Sequence, residues 1–206
     1  MIIYPPTIRK KRRLSNQFEK SSGGCFMDMR IEKTKQSIIN AFIEIRSHKE
    51  VERITVKELC EKARINKSTF YAHYKDIYDL SDQLETELVD SIMENFSHPE
   101  NLLQNPADFT KEIFMGYMAK DTLIRTLFSG SRSKFLVQKM ESALKALVFS
   151  VYPDYRKDPQ LNIMLSYLLY GSYYAFYENR NYGDASVINS ISQFTARLLP
   201  AFTQMN

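Results

Sequence analysis

The sequence has little of what secreted, metal-binding and membrane-spanning proteins usually need. Its 206 residues include two cysteines, three histidines, six glycines and no tryptophan. Cys25 and Cys60 lie in different segments, so we expect neither a disulfide framework nor a cysteine metal site. No apolar run reaches membrane-spanning length, because the most apolar stretch, residues 161–177, is interrupted by asparagine and serine. We therefore expect no membrane partner.

The motifs of common enzyme classes are also missing. There is no glycine-rich phosphate loop, no G-x-S-x-G and no H-E-x-x-H. His48, His73 and His98 stand in separate segments, without carboxylates at the spacing that metal ligands need. No signal-peptide pattern opens the chain, so the expected location is cytoplasmic. The sequence thus predicts a protein that is not an enzyme and that uses neither a cofactor nor a metal.

The net charge of +4 is modest, but charge is distributed unevenly along the chain. Residues 1–80 contain 17 Lys and Arg against 10 Asp and Glu, a net charge of +7. The remainder contains 11 against 14, a net charge of −3. This asymmetry indicates a polyanionic partner for the N-terminal part alone.

Residues 1–27 are expected to form a disordered basic extension. They combine two prolines, a Ser-Ser-Gly-Gly break and no sustained apolar period. The five consecutive basic residues at 9–13 leave three interpretations open. They form an arm that contacts DNA, they belong to a solvated tail, or the segment lies upstream of a true start at Met27 or Met29.

Apolar residues recur at helical spacing through the rest of the chain, and no segment sustains a period of two, so the predicted fold is all-α. The first helix is expected to begin at Ile31. Thr55 and Glu58 form a capping box at the start of the second helix. Asn66 is a suitable N-cap for a third helix that extends to Tyr74. Further helices are expected at 77–96, 107–119, 121–128, 132–151, 160–179 and 185–203.

Residues 54–80 predict two short helices joined by a tight turn, the second of them rich in hydrogen-bond donors. Phe70 and Tyr74, with Ile65 ahead of them, fall on the inward face of the second helix. This arrangement presents one helix to the major groove of DNA, which admits a single α-helix. Short polar, basic and aromatic side chains, as base edges and phosphates require, remain on the outward face: Lys67, Ser68, Thr69, Tyr71, Ala72 and His73.

The same stretch resembles the helix-turn-helix of the tetracycline-repressor (TetR) family, with its pattern T-x-x-x-[IL]-A-x-x-A-G-[VI]-[ST]-x-x-x-[LF]-Y-x-[HY]-F-x-x-K-x-x-L. Two positions depart from this pattern. Arg64 stands at the turn glycine, and Ile77 stands at the lysine that opens the fourth helix, for which Lys75 is the candidate substitute. Cys60, Asn66 and Tyr74 are conservative replacements. The matching residues are Thr55, Leu59, Ala63, Ile65, Phe70, Tyr71, His73 and Leu80.

The resemblance implies a three-helix DNA-binding domain over residues 28–76, followed by a helical effector-binding and dimerisation domain over 77–206. It also implies double-stranded DNA as a partner, with base edges contacted by Ser68, Thr69 and also Lys67. For Tyr71 and His73 the alternative is packing against neighbouring helices. Contacts to phosphates or to the groove wall are implied for Thr55, Lys67, Tyr71, His73 and Lys75.

The segment 160–179 is apolar nearly all round, so it must be covered on two faces. One cover is the core of its own domain, and the other is expected to be a second copy of the chain. In TetR-family proteins the last two helices build a four-helix dimer interface, and the resemblance implies the same here. The predicted interface residues are Leu168, Ser172, Ala175, Ile191, Leu198 and Phe202.

A small-molecule effector of unknown identity, bound within the C-terminal domain, is a further implication of the resemblance. Aromatic and methionine side chains suit apolar pockets, but the alternative is that they form ordinary core. The candidate pocket residues are Phe114, Tyr117, Met118, Phe128, Met140, Met164, Tyr167 and Tyr170.

These features predict a homodimeric, ligand-responsive transcriptional regulator, usually a repressor, that binds a near-palindromic operator. Two other interpretations stay open. One is a helical protein-interaction module that no longer reads DNA, which the departures at Arg64 and Ile77 favour. The other is an enzyme that acts in the helical domain.

Overall fold

The computed structural model describes residues 23–94, 96 and 98–203, and within these ranges the chain is helical, with no strand. The predicted all-α fold is therefore confirmed. The chain divides into two compact units, one ending at Ile77 and the other beginning at Tyr78. In the described part of the chain, every helix is too short or too polar to cross a membrane.

The first unit contains α1 (Gly23–Arg46), α2 (Val56–Ala63) and α3 (Lys67–Tyr71), with a 3-10 turn at Val51–Arg53 between α1 and α2. α1 packs along α2, and α2 packs along α3. α3 has only five residues, too few for a helix to persist alone, so it depends on this packing. Fully buried side chains form the core of the unit: Ile38, Phe42, Leu59 and Phe70.

Two polar side chains cap the starts of α2 and α3, as the sequence predicts. Thr55 Oγ1 accepts a hydrogen bond from the Glu58 backbone N–H at 3.2 Å, and Asn66 Oδ1 accepts one from the Thr69 backbone N–H at 2.7 Å. The Glu58 carboxylate also lies 2.8 Å from the Lys49 ammonium. The pKa of Glu58 is lowered, mainly by this hydrogen bond from Lys49 and to a smaller extent by the Thr55 backbone N–H. Thr55 and Glu58 thus act on each other as a capping box does.

The remaining helices are α4 (Ile77–Met93), α5 (Asn101–Gln104), α6 (Pro106–Ala119), α7 (Asp121–Leu127), α8 (Ser133–Val151), α9 (Pro159–Asn179) and α10 (Asp184–Thr203). Proline opens α6 and α9, where its missing N–H leaves no helical bond unmade. α10 packs against α6 and α9, and α9 also packs against α8. These four helices contribute buried side chains to the core of the second unit, as do α4, with Leu84 and Ile92, and α7, with Leu127.

A buried ion pair joins α4 to the residues that lead into α8. Arg132 donates hydrogen bonds from Nε to Glu85 Oε1 at 2.7 Å and from Nη2 to Glu85 Oε2 at 2.6 Å, and Glu85 is fully buried. Ser81 Oγ donates a further bond to Glu85 Oε1 at 2.8 Å. The hydrogen bond to Glu85 is the main reason that the pKa of Arg132 is raised. Both carboxylate oxygens are therefore satisfied in a site removed from solvent.

The ends of the first unit's helices differ from the prediction. α1 begins at Gly23 rather than at Ile31, so residues 23–27 are helical instead of belonging to an extension. The rest of the predicted extension, residues 1–22 with its basic run, lies outside the described residues. α3 ends at Tyr71, short of the predicted Tyr74. The chain closes there in a tighter turn, in which the His73 N–H donates to the Phe70 carbonyl at 2.9 Å.

Two helices of the second unit also differ from the prediction. α4 ends at Met93 rather than at residue 96. α5 is absent from the prediction, because its four residues are too few for apolar spacing to indicate a helix.

Candidate nucleic-acid interface and apolar cavity

The turn between α2 and α3 is made by a residue that carries a long cationic side chain. Arg64 adopts the left-handed conformation, with φ 57° and ψ 44°. Its backbone N–H points to the Cys60 and Glu61 carbonyls, and the Ile65 N–H donates to the Cys60 carbonyl at 3.0 Å. The position that is glycine in the TetR pattern therefore keeps a glycine-type geometry, at a cost of about 1–2 kcal/mol for a residue with a Cβ.

One side chain organises the polar groups at the start of α3. Asn66 Oδ1 accepts hydrogen bonds from the Ser68 hydroxyl and from the Thr69 hydroxyl, each at 2.7 Å, in addition to the Thr69 backbone bond. The two hydroxyls are therefore held close together beside the cap. Their oxygen lone pairs remain to accept a hydrogen bond from another molecule.

The two faces of α3 differ sharply in burial. Phe70 has 0% of its surface exposed and Tyr74, just after the helix, is also buried, whereas Tyr71 is 56% exposed. The Tyr71 ring meets the Phe70 ring edge-on, with centroids 5.4 Å apart. Lys67 and Ser68 are exposed and Thr69 is half-buried. Phe70 and Tyr74 thus anchor α3, and the predicted contact residues of the helix lie on its outer face.

The other predicted contact residues lie around α3. Thr55 is exposed at the start of α2, and Lys75 is exposed between α3 and α4. His73 is half-buried, with its ring centroid 6.2 Å from that of Tyr74. Ile77 is buried, so the first position of α4 presents no cation, and Lys75 is the nearest exposed one before it.

Cationic side chains of the first unit differ in whether a carboxylate pairs with them. Lys49 and Lys62 lie 2.8 Å and 2.6 Å from the carboxylates of Glu58 and Glu44. In the described part of the chain, by contrast, neither Arg64 nor Lys67 is paired with a carboxylate, and both are exposed. Arg64 is therefore a candidate contact residue that the sequence pattern marked only as a departure. The feature of the sequence that could have identified Arg64 as a contact residue is its positive charge in the turn just before α3.

The second unit contains an apolar cavity of about 50 Å³ among α5, α6, α8, α9 and α10. None of its lining residues is charged. Five of them are aromatic: Phe109, Phe114, Tyr117, Tyr173 and Phe176. The ring centroids of Phe114 and Phe176 lie 4.9 Å apart, and those of Tyr117 and Tyr173 lie 6.4 Å apart, both within the range of favourable ring pairs.

Hydroxyl groups in the cavity wall differ in how they are satisfied. Thr110 and Thr195 donate to backbone carbonyls within their own helices, at 2.7 Å and 3.1 Å. Within the described residues, the hydroxyls of Tyr117, Tyr173 and Ser172 have no hydrogen-bond partner. Burial is the main reason that the pKa of Tyr117 is raised and that of Tyr173 is raised to about 12. Both phenols are therefore neutral at physiological pH and able to donate.

The predicted effector residues divide among three environments. Phe114, Tyr117 and Met140 line the cavity. Phe128 and Met164 are buried in the core away from it, and Tyr170 is half-buried. Met118 is exposed and Tyr167 is 61% exposed, so neither lines the cavity. The reason is the helix period, which turns these two side chains outward on α6 and α9.

The predicted dimer residues are also divided. Leu168 and Ser172 line the cavity and are half-buried, and Ile191 is buried. Ala175 is exposed and Leu198 is 38% exposed. The side chain of Phe202 lies outside the described residues.

A different set of apolar side chains is exposed on α9 and α10. The spacing places them on one side of each helix, and the two helices pack against each other. We call this surface the α9–α10 apolar face; it consists of Ile163, Tyr167, Tyr174, Tyr177, Phe194 and Leu198. Large aromatic and aliphatic residues are rarely left together in water without a partner.

Within the described residues, no group of three or more His, Cys, Asp and Glu side chains is arranged to hold a metal ion. Comparisons with family models, with curated proteins and with solved structures find no match to this chain.

Proposed function

We propose that this chain is a transcriptional regulator of the TetR type that binds double-stranded DNA through α2, the Arg64 turn and α3. The observation that carries the proposal is the division of α3 into a buried anchor and a polar outer face. Phe70 fixes the helix to its unit, while Lys67, Ser68 and Tyr71 face outward. A short helix held in this way is what the major groove accepts.

The charges around α3 support the same proposal. Arg64 and Lys67 are exposed cations without a carboxylate partner among the described residues, and Lys75 is exposed nearby. Phosphate contacts from such side chains supply most of the affinity of a protein for DNA. We assign Arg64, Lys67 and Lys75 to phosphates, together with Thr55 and Tyr71. His73 is half-buried, so we assign it to positioning the turn after α3.

We assign the contacts to base edges, which determine sequence specificity, to Ser68 and Thr69. Because both hydroxyls donate hydrogen bonds to Asn66 Oδ1, their oxygen lone pairs are left to accept hydrogen bonds from DNA. The Thr69 methyl group adds an apolar contact of the kind that suits the thymine methyl group.

The α9–α10 apolar face supports a homodimer. Its occupant in the proposal is the same face of a second copy, since a two-fold interface is self-complementary. A dimer presents two α3 helices, which explains the expected near-palindromic operator. Binding of an effector in the second unit then changes DNA affinity through its different affinity for two conformations of the dimer.

DNA binding is tested by selecting a preferred site from random duplexes and comparing that site with a scrambled duplex. Thr69→Ala is expected to lose about 1–3 kcal/mol of binding free energy on the selected site and little on the scrambled one. Lys75→Ala is expected to weaken both alike and to reduce the salt slope by about one unit, as for one lost phosphate contact. Titrations at several salt concentrations measure both effects.

The control is Lys157→Ala, which removes an exposed cation from the second unit and should leave both affinities and the salt slope unchanged. Equal losses for Thr69→Ala on both duplexes would remove its assignment to base reading. If no variant loses affinity, or if no site is selected, α3 does not read DNA and the protein-interaction alternative becomes the better account.

Dimerisation is expected to depend on the α9–α10 apolar face. Light scattering at micromolar concentration should give about twice the chain mass of 24.1 kDa, and Leu198→Asp should shift the protein towards the monomer. Val151→Asp is the matched control, because Val151 at the end of α8 is equally exposed, at 38%, but lies outside the face. Equal behaviour of the two variants, or a wild-type monomer that binds a palindromic site tightly, would contradict this interface.

A further inference from the structure

We propose that the cavity of the second unit binds a small, uncharged, largely apolar molecule with one hydrogen-bonding group, of the class of phenols and aromatic alcohols. The inference rests on the proposed function in one respect, since it names the chemical class of its effector.

The charge of the ligand follows from the lining. No Asp, Glu, Lys, Arg or His side chain lines the cavity. An ionised ligand would therefore lose its hydration without gaining a counter-charge, which is strongly unfavourable. The Arg180 guanidinium, 5.2 Å from the centroid of the Phe176 ring, offers no substitute, because Arg180 is not a lining residue and is paired with Asp184 at 2.9 Å. A carboxylate or an ammonium compound is thus excluded in favour of a neutral one.

The single polar group of the ligand follows from the unused hydroxyls. Tyr117 and Tyr173 are neutral phenols without a partner among the described residues, and Ser172 adds a third hydroxyl in the same state. Tyr117 is buried, and Tyr173 and Ser172 are half-buried, so a bound molecule that covers these hydroxyls without a hydrogen bond would take them out of water, which is unfavourable. A ligand hydroxyl can both donate to and accept from such groups. A hydrocarbon of the same shape would leave them unsatisfied.

The size of the cavity links binding to conformational change. Its volume of about 50 Å³ is well below the roughly 150 Å³ of an engineered cavity that holds benzene. A ring-sized ligand therefore binds only when the walls move apart. Met140, which lines the cavity, is the residue type best able to change its shape. A ligand of this kind favours a widened conformation over the contracted one, and regulation requires such a difference in affinity.

The test uses the full chain without DNA and three probes of similar shape: 4-ethylphenol, ethylbenzene and 4-ethylbenzoate. Calorimetry and thermal denaturation should show binding of 4-ethylphenol, weaker binding of ethylbenzene by about two- to tenfold for the lost hydrogen bond, and no binding of 4-ethylbenzoate. Ser172→Leu fills the cavity and should weaken 4-ethylphenol at least tenfold. Ser186→Leu places the same side chain at an exposed site on α10 and should have no effect.

Ile113→Phe is a second filling variant, at another half-buried position in the wall, and should weaken 4-ethylphenol in the same way if Ser172→Leu does not fold. Binding of 4-ethylbenzoate as tight as that of 4-ethylphenol overturns the proposal, as does unchanged binding in the filled variants. The result is independent of DNA binding. If 4-ethylphenol binds as expected but no DNA site is selected, the ligand class stands and the proposed function fails. If a DNA site is selected but no probe binds, the proposed function stands and the ligand class fails.

Discussion

Arg132→Met is expected to lower the free energy of unfolding of the second unit by about 3–5 kcal/mol, because it leaves the Glu85 carboxylate buried without a counter-charge. Glu85 is fully buried and receives two of its three hydrogen bonds from Arg132. Ser81 alone cannot replace the guanidinium, since one neutral hydrogen bond does not balance a buried negative charge. Such a loss is a large part of the 5–15 kcal/mol that stabilises a typical domain.

Two matched variants separate this effect from the loss of an arginine as such. Arg125→Met removes an arginine of the same unit whose side chain is 65% exposed and which pairs with Asp121 at 2.7 Å, so it should cost no more than about 1 kcal/mol. The double variant Glu85→Met with Arg132→Met removes both buried charges and should recover most of the stability. Urea denaturation followed by circular dichroism measures all three. A double variant as unstable as Arg132→Met alone would show that packing, and not the isolated charge, explains the loss.

This ion pair also shows what the sequence could not reveal. Glu85 lies one position from Leu84 in the apolar stripe of α4, and its partner is 47 residues further along the chain. Helical period predicts that Leu80, Leu84 and Leu88 face the core. The helical period contains no information about a distant residue that neutralises a charge at the edge of the same stripe.

Local features were predictable because their causes are local. The caps at Thr55 and Asn66 depend on side chains three residues from the bonds that they make. The inward face of α3 follows from the spacing of Phe70 and Tyr74. In each case a few neighbouring residues contain all the information that the structure uses.

The two faces of α9 were not predictable in the same way. The helix is apolar nearly all round, so period alone cannot tell which face meets the core. The sequence therefore assigned Leu168 and Ser172 to an interface and Tyr167 to a pocket, whereas the structure places the first two on the cavity and leaves Tyr167 exposed. Packing against α8 and α10 decides between these faces, and packing is a property of distant segments.

Phe70→Ala is expected to destabilise the first unit by about 3–5 kcal/mol, because it removes a fully buried aromatic side chain and leaves a cavity. With only five residues, α3 is held by this anchor rather than by its own helical bonds. Tyr71→Ala removes the adjacent aromatic side chain, which is 56% exposed, and should change stability by no more than about 0.5 kcal/mol.

Hydrogen exchange read separately over residues 23–77 and 78–203 measures the effect in the unit concerned. We expect faster exchange throughout the first range for Phe70→Ala alone, with the second range unchanged. If both variants accelerate exchange equally, Phe70 is not the anchor of α3. The division of the helix into a buried and a reading face, and the DNA contact built on it, would then lose their support.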